Sequence, residues 1–400
     1  MTFEEQQDLW DLLDARDRTV QKMGTQLVEK EAVIQQLIAD LTIAQVDPTE
    51  LQTYLNRSQA DLAKAQADLA ELQATMTVKD SVIDVLSKAV TAYKLALMFS
   101  PSYNIRRLFT IRLGNLNQYS PSPLRDIPVY KSSTAQANLP TISIVTPSFR
   151  QGHFIERTLL SVLNQNYPKL EYYVQDGGST DNTIAILKSY EDKLSGWVSK
   201  KDSGQSQAIN HGFANTKGEI MAWLNSDDLL LPGALAVVAD YFNLHPDVDV
   251  VYGNRLLIDE NDMEIGRWIM PGHDSDILSW VDYVPQETLF WRRSIWDKAG
   301  GQIDESFRFA MDWDLLVRFR DAGAKFAHIP RFLGAFRVHE QQKTSAAMNE
   351  IGHQEMDRIR KRLHGRVPPQ IEIKKAALPF LKKHVAVDMV YRIKTKFGAK

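Results

Sequence analysis

Thr141-Ile-Ser-Ile-Val-Thr-Pro-Ser-Phe-Arg150 decides the fold: an apolar, β-branched run stops at a proline and gives way to polar and aromatic turn residues. A short run bounded in this way reads as a buried strand over 141–146. Helical periodicity follows at 155–164, then a second β-rich run at 170–175 and a helix at 183–190. The alternation continues with a strand at 197–199, a helix at 206–215, a strand at 220–224, a helix at 231–242 and a strand at 248–252. Strands alternating with helices predict a mostly parallel sheet covered on both faces.

In such sheets ligands bind beyond the carboxyl ends of the strands. Three segments fall there: Pro147-Ser-Phe-Arg150, Asp176-Gly-Gly-Ser-Thr-Asp181 and Asn225-Ser-Asp-Asp228. Each carries more polar or acidic groups than a turn requires. Adjacent carboxylates repel, and a divalent cation on oxygen ligands offsets that repulsion. Magnesium or manganese held this way also binds phosphates and neutralises charge on a diphosphate leaving group. Taken alone, the segment is equally well explained by Asp228 capping the next helix with Asp227 solvated. Asp181 reads as a turn and helix-cap residue. Asp202-Ser-Gly-Gln205 has the residues of a plain loop and helix cap.

Towards the amino terminus, apolar residues recur every seven positions. Leu13, Val20, Leu27, Ile34 and Leu41 form one row before Pro48, and Leu55, Leu62, Leu69, Met76, Ile83, Val90 and Leu97 form another. So narrow a stripe predicts a coiled coil over 1–99 that makes a homo-oligomer, or else an antiparallel hairpin within one chain. Residues 100–138, punctuated by Pro101, Pro121, Pro123 and Pro128, read as a linker or strap, and 139–345 as the α/β domain. From 355 to 400 there are 13 Lys or Arg against 4 Asp or Glu. The region 346–400 is therefore a basic helical tail, either simply solvated or a peripheral contact with an anionic membrane surface.

Composition narrows the classes. The absence of cysteine among 400 residues excludes disulfide scaffolds, cysteine zinc sites and thiol nucleophiles. A formal net charge of −3 gives no whole-chain case for nucleic-acid binding. No basic-then-apolar leader opens the chain and no run reaches the roughly 18 apolar residues of a membrane span. The expected location is cytoplasmic, with the inner face of a membrane as the candidate contact.

The motifs Val145-Thr-Pro-Ser-Phe-Arg150, Ser161-Val-Leu-Asn-Gln-Asn-Tyr-Pro168, Asp176-Gly-Gly-Ser-Thr-Asp-Asn-Thr183, Asn225-Ser-Asp-Asp228 and Ala310-Met-Asp-Trp-Asp-Leu-Leu-Val-Arg318 occur in order. As a set they resemble the family 2 glycosyltransferases, over about residues 139–345. The resemblance implies the GT-A fold, a Rossmann-like mixed sheet, and inverting transfer of a hexosyl group from a nucleotide-sugar donor. It further implies a glycan or lipid-linked acceptor, a role in surface polysaccharide assembly, and Mn2+ or Mg2+ on the diphosphate.

Residue by residue, the resemblance puts Pro147, Phe149, Arg150 and Asp176 around the nucleotide, Gly204 and Gln205 beside the donor, and Gln286 near the sugar. Asp227 takes the metal, with Asp228 and His339 as neighbouring candidates and Lys343 near phosphate. Asn225 departs from the family's Asp-x-Asp at its first position. Asp312 matches the base that removes the acceptor proton, Met311 replaces its usual acidic neighbour, and Asp314 orients the helix. The two departures keep open a second class, a coiled-coil scaffold carrying an inactive nucleotide-sugar-binding domain. Dinucleotide-binding, P-loop and metalloprotease motifs are not matched.

Overall fold

The computed structural model describes residues 111–124, 130, 138–339 and 351–396. The heptad region 1–99, most of the linker, and Lys343 lie outside the described residues.

The expected first strand is β1 (Ile142–Ser148), buried at every position. Its alternation serves both faces of the sheet: Ile142 and Ile144 enter one apolar cluster and Val145 the other. The buried hydroxyls in this strand have partners, since Ser143 donates to Glu171 at 2.7 Å and Thr146 lies 3.0 Å from the Tyr172 hydroxyl. Then come α1 (Ile155–Leu163), β2 (Leu170–Asp176), α2 (Thr183–Ser189), β3 (Gly196–Ser199), α3 (Gln205–Ala214) and β4 (Ile220–Trp223). Each lies within two residues of its sequence-derived position. In α1, Ile155, Thr158, Leu159 and Val162 form the inward face at helical spacing.

The second half adds β5 (Leu229–Leu230), α4 (Ala234–Leu244), β6 (Val250–Ile258), β7 (Glu264–Trp268) and α5 (Ser275–Leu278). It continues through β8 (Phe290–Arg292), α6 (Arg293–Lys298), α7 (Met311–Asp321), β9 (Phe326–Arg337), α8 (His353–His364) and α9 (Gln370–Lys396). The nine-stranded sheet runs β3-β2-β1-β4-β8-β6-β9-β5, with β7 on β6. Pairs among β3, β2, β1 and β4 are parallel, β8 runs against both neighbours, and β6 and β9 are parallel again. The alternation predicts a mostly parallel sheet; the antiparallel β8 makes it mixed, the Rossmann-like α/β sheet that the family resemblance implies.

Two close contacts position the site. Gly212 of α3 rests on β1, where a Cβ would come 2.3 Å from Val145 Cγ1, so α3 approaches the sheet at glycine distance. Thr158 of α1 donates to the carbonyls of Ser226 and Asp228 at 2.9 and 2.8 Å, fixing the turn after β4.

The basic carboxyl-terminal helices are also core elements. Ile359 and Phe380 join the cluster containing Trp291 and Trp313. His384 Nε2 accepts the Leu113 N–H at 3.1 Å while Nδ1 lies 2.9 Å from the Ile269 carbonyl, clasping the strap 111–124 to α9. That arrangement needs the neutral ring, and burial lowers the His384 pKa. Burial also pushes His273 and His328 down to about 4. These imidazoles stay neutral when folded but take protons below about 6.5 when unfolded. Their stabilisation is therefore complete above that pH and is lost as pH falls from about 6.5 towards 4. Thermal denaturation from pH 7.5 down to about 4.5 should show Tm falling by roughly 5 °C or more, with a shallower fall in His384→Gln.

Candidate active site

A cleft of about 700 Å³ opens at the carboxyl ends of β1, β2 and β4, where the crevice rule places it. The loops after these strands, the segment 201–205 and residues Phe336 and Arg337 line it. Of the sequence-predicted residues, Pro147, Phe149, Arg150, Gly204, Gln205, Asn225, Asp227 and Asp228 are all on the lining.

After β1, Phe149 presents its ring to the cleft at 55% exposure, with the Arg150 guanidinium 5.2 Å from its centroid. Arg150 itself holds φ of 54°, a conformation costly for a non-glycine residue, and donates its N–H to Ser179 Oγ at 2.7 Å. Gly204 precedes α3 at φ 132°, which glycine alone tolerates readily.

Asp176, expected against the nucleotide, is fully buried and absent from the lining. Its carboxylate accepts Gly178 N–H (3.1 Å), Ser179 N–H (2.8 Å), Ser179 Oγ (2.5 Å) and Ser199 Oγ (2.6 Å). The charge is consumed in shaping the loop after β2. Asp202, by contrast, lines the cleft beside this loop; it accepts the Gly204 N–H at 3.0 Å and would lie 3.2 Å from a Cβ placed on Gly177. Asp181 forms the turn just before α2, whose N-cap position is Asn182. Partial burial opposes its ionisation, but Thr183 Oγ1 and the N–H groups of Gly152 and Thr183 hold it below the usual carboxylate range.

After β4, Asn225 is a brace. Its Oδ1 accepts from Gln205 at 2.7 Å, and its Nδ2 donates to Gln286 at 3.1 Å and to Asp228 at 3.2 Å. Gln286, expected near the sugar, is buried behind this turn and donates to the Trp223 carbonyl at 2.9 Å. Asp228 is also drawn inward, accepting the Arg337 N–H at 3.0 Å. Burial, with the charges of Asp227 and Glu287, raises it well above the usual carboxylate range. Asp227 remains partly exposed, with His339 Nε2 3.1 Å from its Oδ2. Arg337 locks the backbone here, donating to the Asp227 and Asp259 carbonyls at 2.7 and 3.0 Å and pairing with Asp262.

Among the described residues no cluster of three acidic or histidine ligands is formed. Asp227 and His339 nevertheless supply an oxygen and a nitrogen donor side by side. The Asp227 oxygen suits a divalent cation whose other ligands are diphosphate oxygens and water, and the His339 nitrogen would add an imidazole donor beside it.

Asp312 opens α7 outside the donor-cleft lining. It is partly open to solvent yet enclosed by protein, and that enclosure raises its pKa; the Trp313 N–H (2.9 Å) and the Arg255 charge pull it back, while Glu287 pushes it up. Asp282 is reachable by water but likewise surrounded, and is raised well above its normal range first by desolvation and then by the charge of Asp312. Between the two halves of the site lies Arg255 on β6, forked onto Glu287 at 2.7 and 2.5 Å and flanked by the rings of Trp268 (4.7 Å) and Phe336 (4.6 Å). The charges of this pair act on Asp228 and Asp312 alike. The approach to α7 is held from two sides. Ser206 donates to the Phe307 carbonyl at 2.7 Å, and Glu355 of α8 accepts the N–H groups of Arg308, Phe309 and Ala310 at 2.8 to 2.9 Å. Asp314 takes Arg318 and Arg362, orienting the helix.

Residues 143–303 match the glycosyl transferase family 2 model. An uncharacterized glycosyltransferase of Rickettsia typhi is 30% identical over 220 residues, which cover 53% of this chain and 68% of that protein. The chain belongs to glycosyl transferase family 2. The O-antigen biosynthesis protein RfbC of Myxococcus xanthus is 30% identical over 213 residues, 52% of this chain and 16% of that protein. Among solved structures, the mannosyltransferase PcManGT from Pyrobaculum calidifontis, in complex with GDP-Man and Mn2+, aligns over 76% of this chain and 85% of its own at 18% identity and a TM-score of 0.46.

Within this family 2 domain the motif residues Phe149, Asp227, Asp312 and His339 were visible in sequence. Asp202 lies in the segment Asp202-Ser-Gly-Gln205, where nothing local distinguishes it from an Asx-type cap. Arg255, Glu287, Asp282 and Glu355 were missed, because their partners are distant in sequence and none sits in a strong local pattern.

Proposed function

We propose that this chain is an inverting hexosyltransferase that moves a sugar from a nucleoside-diphosphate sugar to an acceptor hydroxyl. The observation that carries the reading is the cleft at the strand ends, lined by both Phe149 and Asp227, with His339 Nε2 3.1 Å from Asp227 Oδ2. Phe149 offers a face for the base, and Asp202 an acceptor for a base or ribose donor. Asp227 and His339 would hold Mn2+ or Mg2+, which would supply positive charge against the diphosphate. Asp312 removes the acceptor hydroxyl proton as that oxygen bonds the anomeric carbon. The bond from that carbon to the phosphate oxygen breaks, and the nucleoside diphosphate leaves with its electron pair. Attack opposite the leaving group inverts the centre.

The O-antigen name of one relative supports surface polysaccharide assembly as the setting, with a glycan or lipid-linked acceptor. No described helix is long and apolar enough to cross a membrane.

Thermal shift and donor hydrolysis with a panel of nucleotide sugars, with Mn2+, Mg2+ or EDTA, test the reading. One nucleotide should stabilise the chain in a metal-dependent way. Asp227→Ala should weaken that response at least about tenfold, since changing even a group that only supports a metal ligand costs about 10- to 100-fold. No response to any donor would favour an inactive binding domain on a scaffold.

A further inference from the structure

The two faces of α9 differ sharply. Ile373, Ala377, Phe380, His384 and Asp388 face the domain, all within 9% exposure. The opposite face carries Ile371, Leu378, Val390 and Ile393 at 41 to 59% exposure, interleaved with exposed Lys374, Lys375, Lys382, Lys383 and Lys394. Eleven large apolar side chains are exposed among the described residues and six of them fall between 351 and 396, so the exposed apolar surface concentrates here. Both acids of α9 are engaged by arginines, Glu372 by Arg366 at 2.5 Å and buried Asp388 by Arg392 at 2.9 Å. Lys383 pairs with Asp274 at 3.2 Å, leaving the other four lysines to set the charge of the face.

We propose that the outward face of α9 docks on an anionic bilayer surface. A protein partner suits it poorly, because protein interfaces deplete lysine and enrich aromatic residues and arginine, whereas this face is lysine and aliphatic. Lysines beside aliphatic side chains suit a lipid boundary: the aliphatic groups enter the acyl edge while the long lysine stems reach up to anionic headgroups. The helix of 27 residues, about 40 Å at 1.5 Å per residue, lies along that surface and, being packed on the domain, carries the active site with it.

The test is co-sedimentation of the full chain with phosphatidylcholine vesicles, with and without phosphatidylglycerol, over a salt series. Binding should require phosphatidylglycerol and weaken as salt rises. Lys374→Glu/Lys375→Glu/Lys382→Glu should bind at least about tenfold more weakly. Leu378→Glu/Ile393→Glu should also lose binding, and these positions are exposed enough to leave the fold intact. Donor-induced thermal stabilisation should be unchanged in both, which separates failure here from failure of the glycosyltransferase reading. Equal binding to neutral vesicles, no binding to either kind, or full retention in the triple variant would overturn the proposal. So would a change in self-association of the variants in sedimentation velocity without vesicles, which would make the face a contact between copies.

Discussion

Asp312→Asn is expected to lower kcat by about a thousandfold, within the range that positioned acid–base groups supply, while donor-induced stabilisation persists. Asparagine keeps the shape and an oxygen for the Trp313 N–H, 2.9 Å away in the native chain. It removes the lone pair that takes the acceptor proton. It also removes a negative charge that acts on Asp282. In the parent, burial raises Asp312, so the acid limb of the kcat profile should stand above the ordinary carboxylate range, with activity lost as pH falls through it. Steady-state kinetics and a pH profile check both points. Retained activity, or loss of donor binding equal to that in Asp227→Ala, would remove Asp312 from the role of base.

The architecture up to β4 was legible because its signals are local, whereas the two-residue β5 exists only through its pairing with β9 and leaves no local trace. Apolar runs stop at Pro147 or at the Gly177-Gly178 turn, and helices such as α1 carry i, i+3, i+4 spacing. The strand β6 shows where local reading ends. It was expected to stop at Tyr252 but runs on through Gly253, Asn254 and Arg255 to Ile258. The sequence Gly-Asn-Arg reads as a turn. It stays extended because β9 lies so close to Gly253 that a Cβ would meet the Arg331 carbonyl at 2.7 Å, and because Thr288 bonds the Gly253 backbone. Site chemistry follows the same division. Asp227 and His339 stand in motifs, but that Asp176 serves its own loop, and that Asp202 reaches the cleft, depends on which serines and amides converge on each carboxylate. No periodicity records that convergence.

Arg255→Met should cost about 3–5 kcal/mol of stability, the penalty for leaving one member of a buried ion pair without its partner, and so lower Tm by roughly 10 °C. The side chains of Arg255 and Glu287 are 10% and 0% exposed, and the guanidinium fits between Trp268 and Phe336. Methionine fills much of that slot but leaves Glu287 charged beside Asp228 and Asp312. Arg255→Met/Glu287→Leu should therefore recover much of the loss, because the burden is the unpaired charge and not the missing contact. A pair serving only to hold the fold would show no more than this. Arg255, however, also draws down Asp312 and Asp282 electrostatically, so its removal should move the acid limb of the kcat profile upwards. Arg255→Lys keeps the charge but cannot fork onto Glu287, so it should restore the limb without restoring all of the stability. If Tm falls in Arg255→Met while the limb stays in place, the pair is structural alone. If both move, and lysine repairs only the limb, one buried cation serves the fold through its hydrogen bonds and sets the base through its charge.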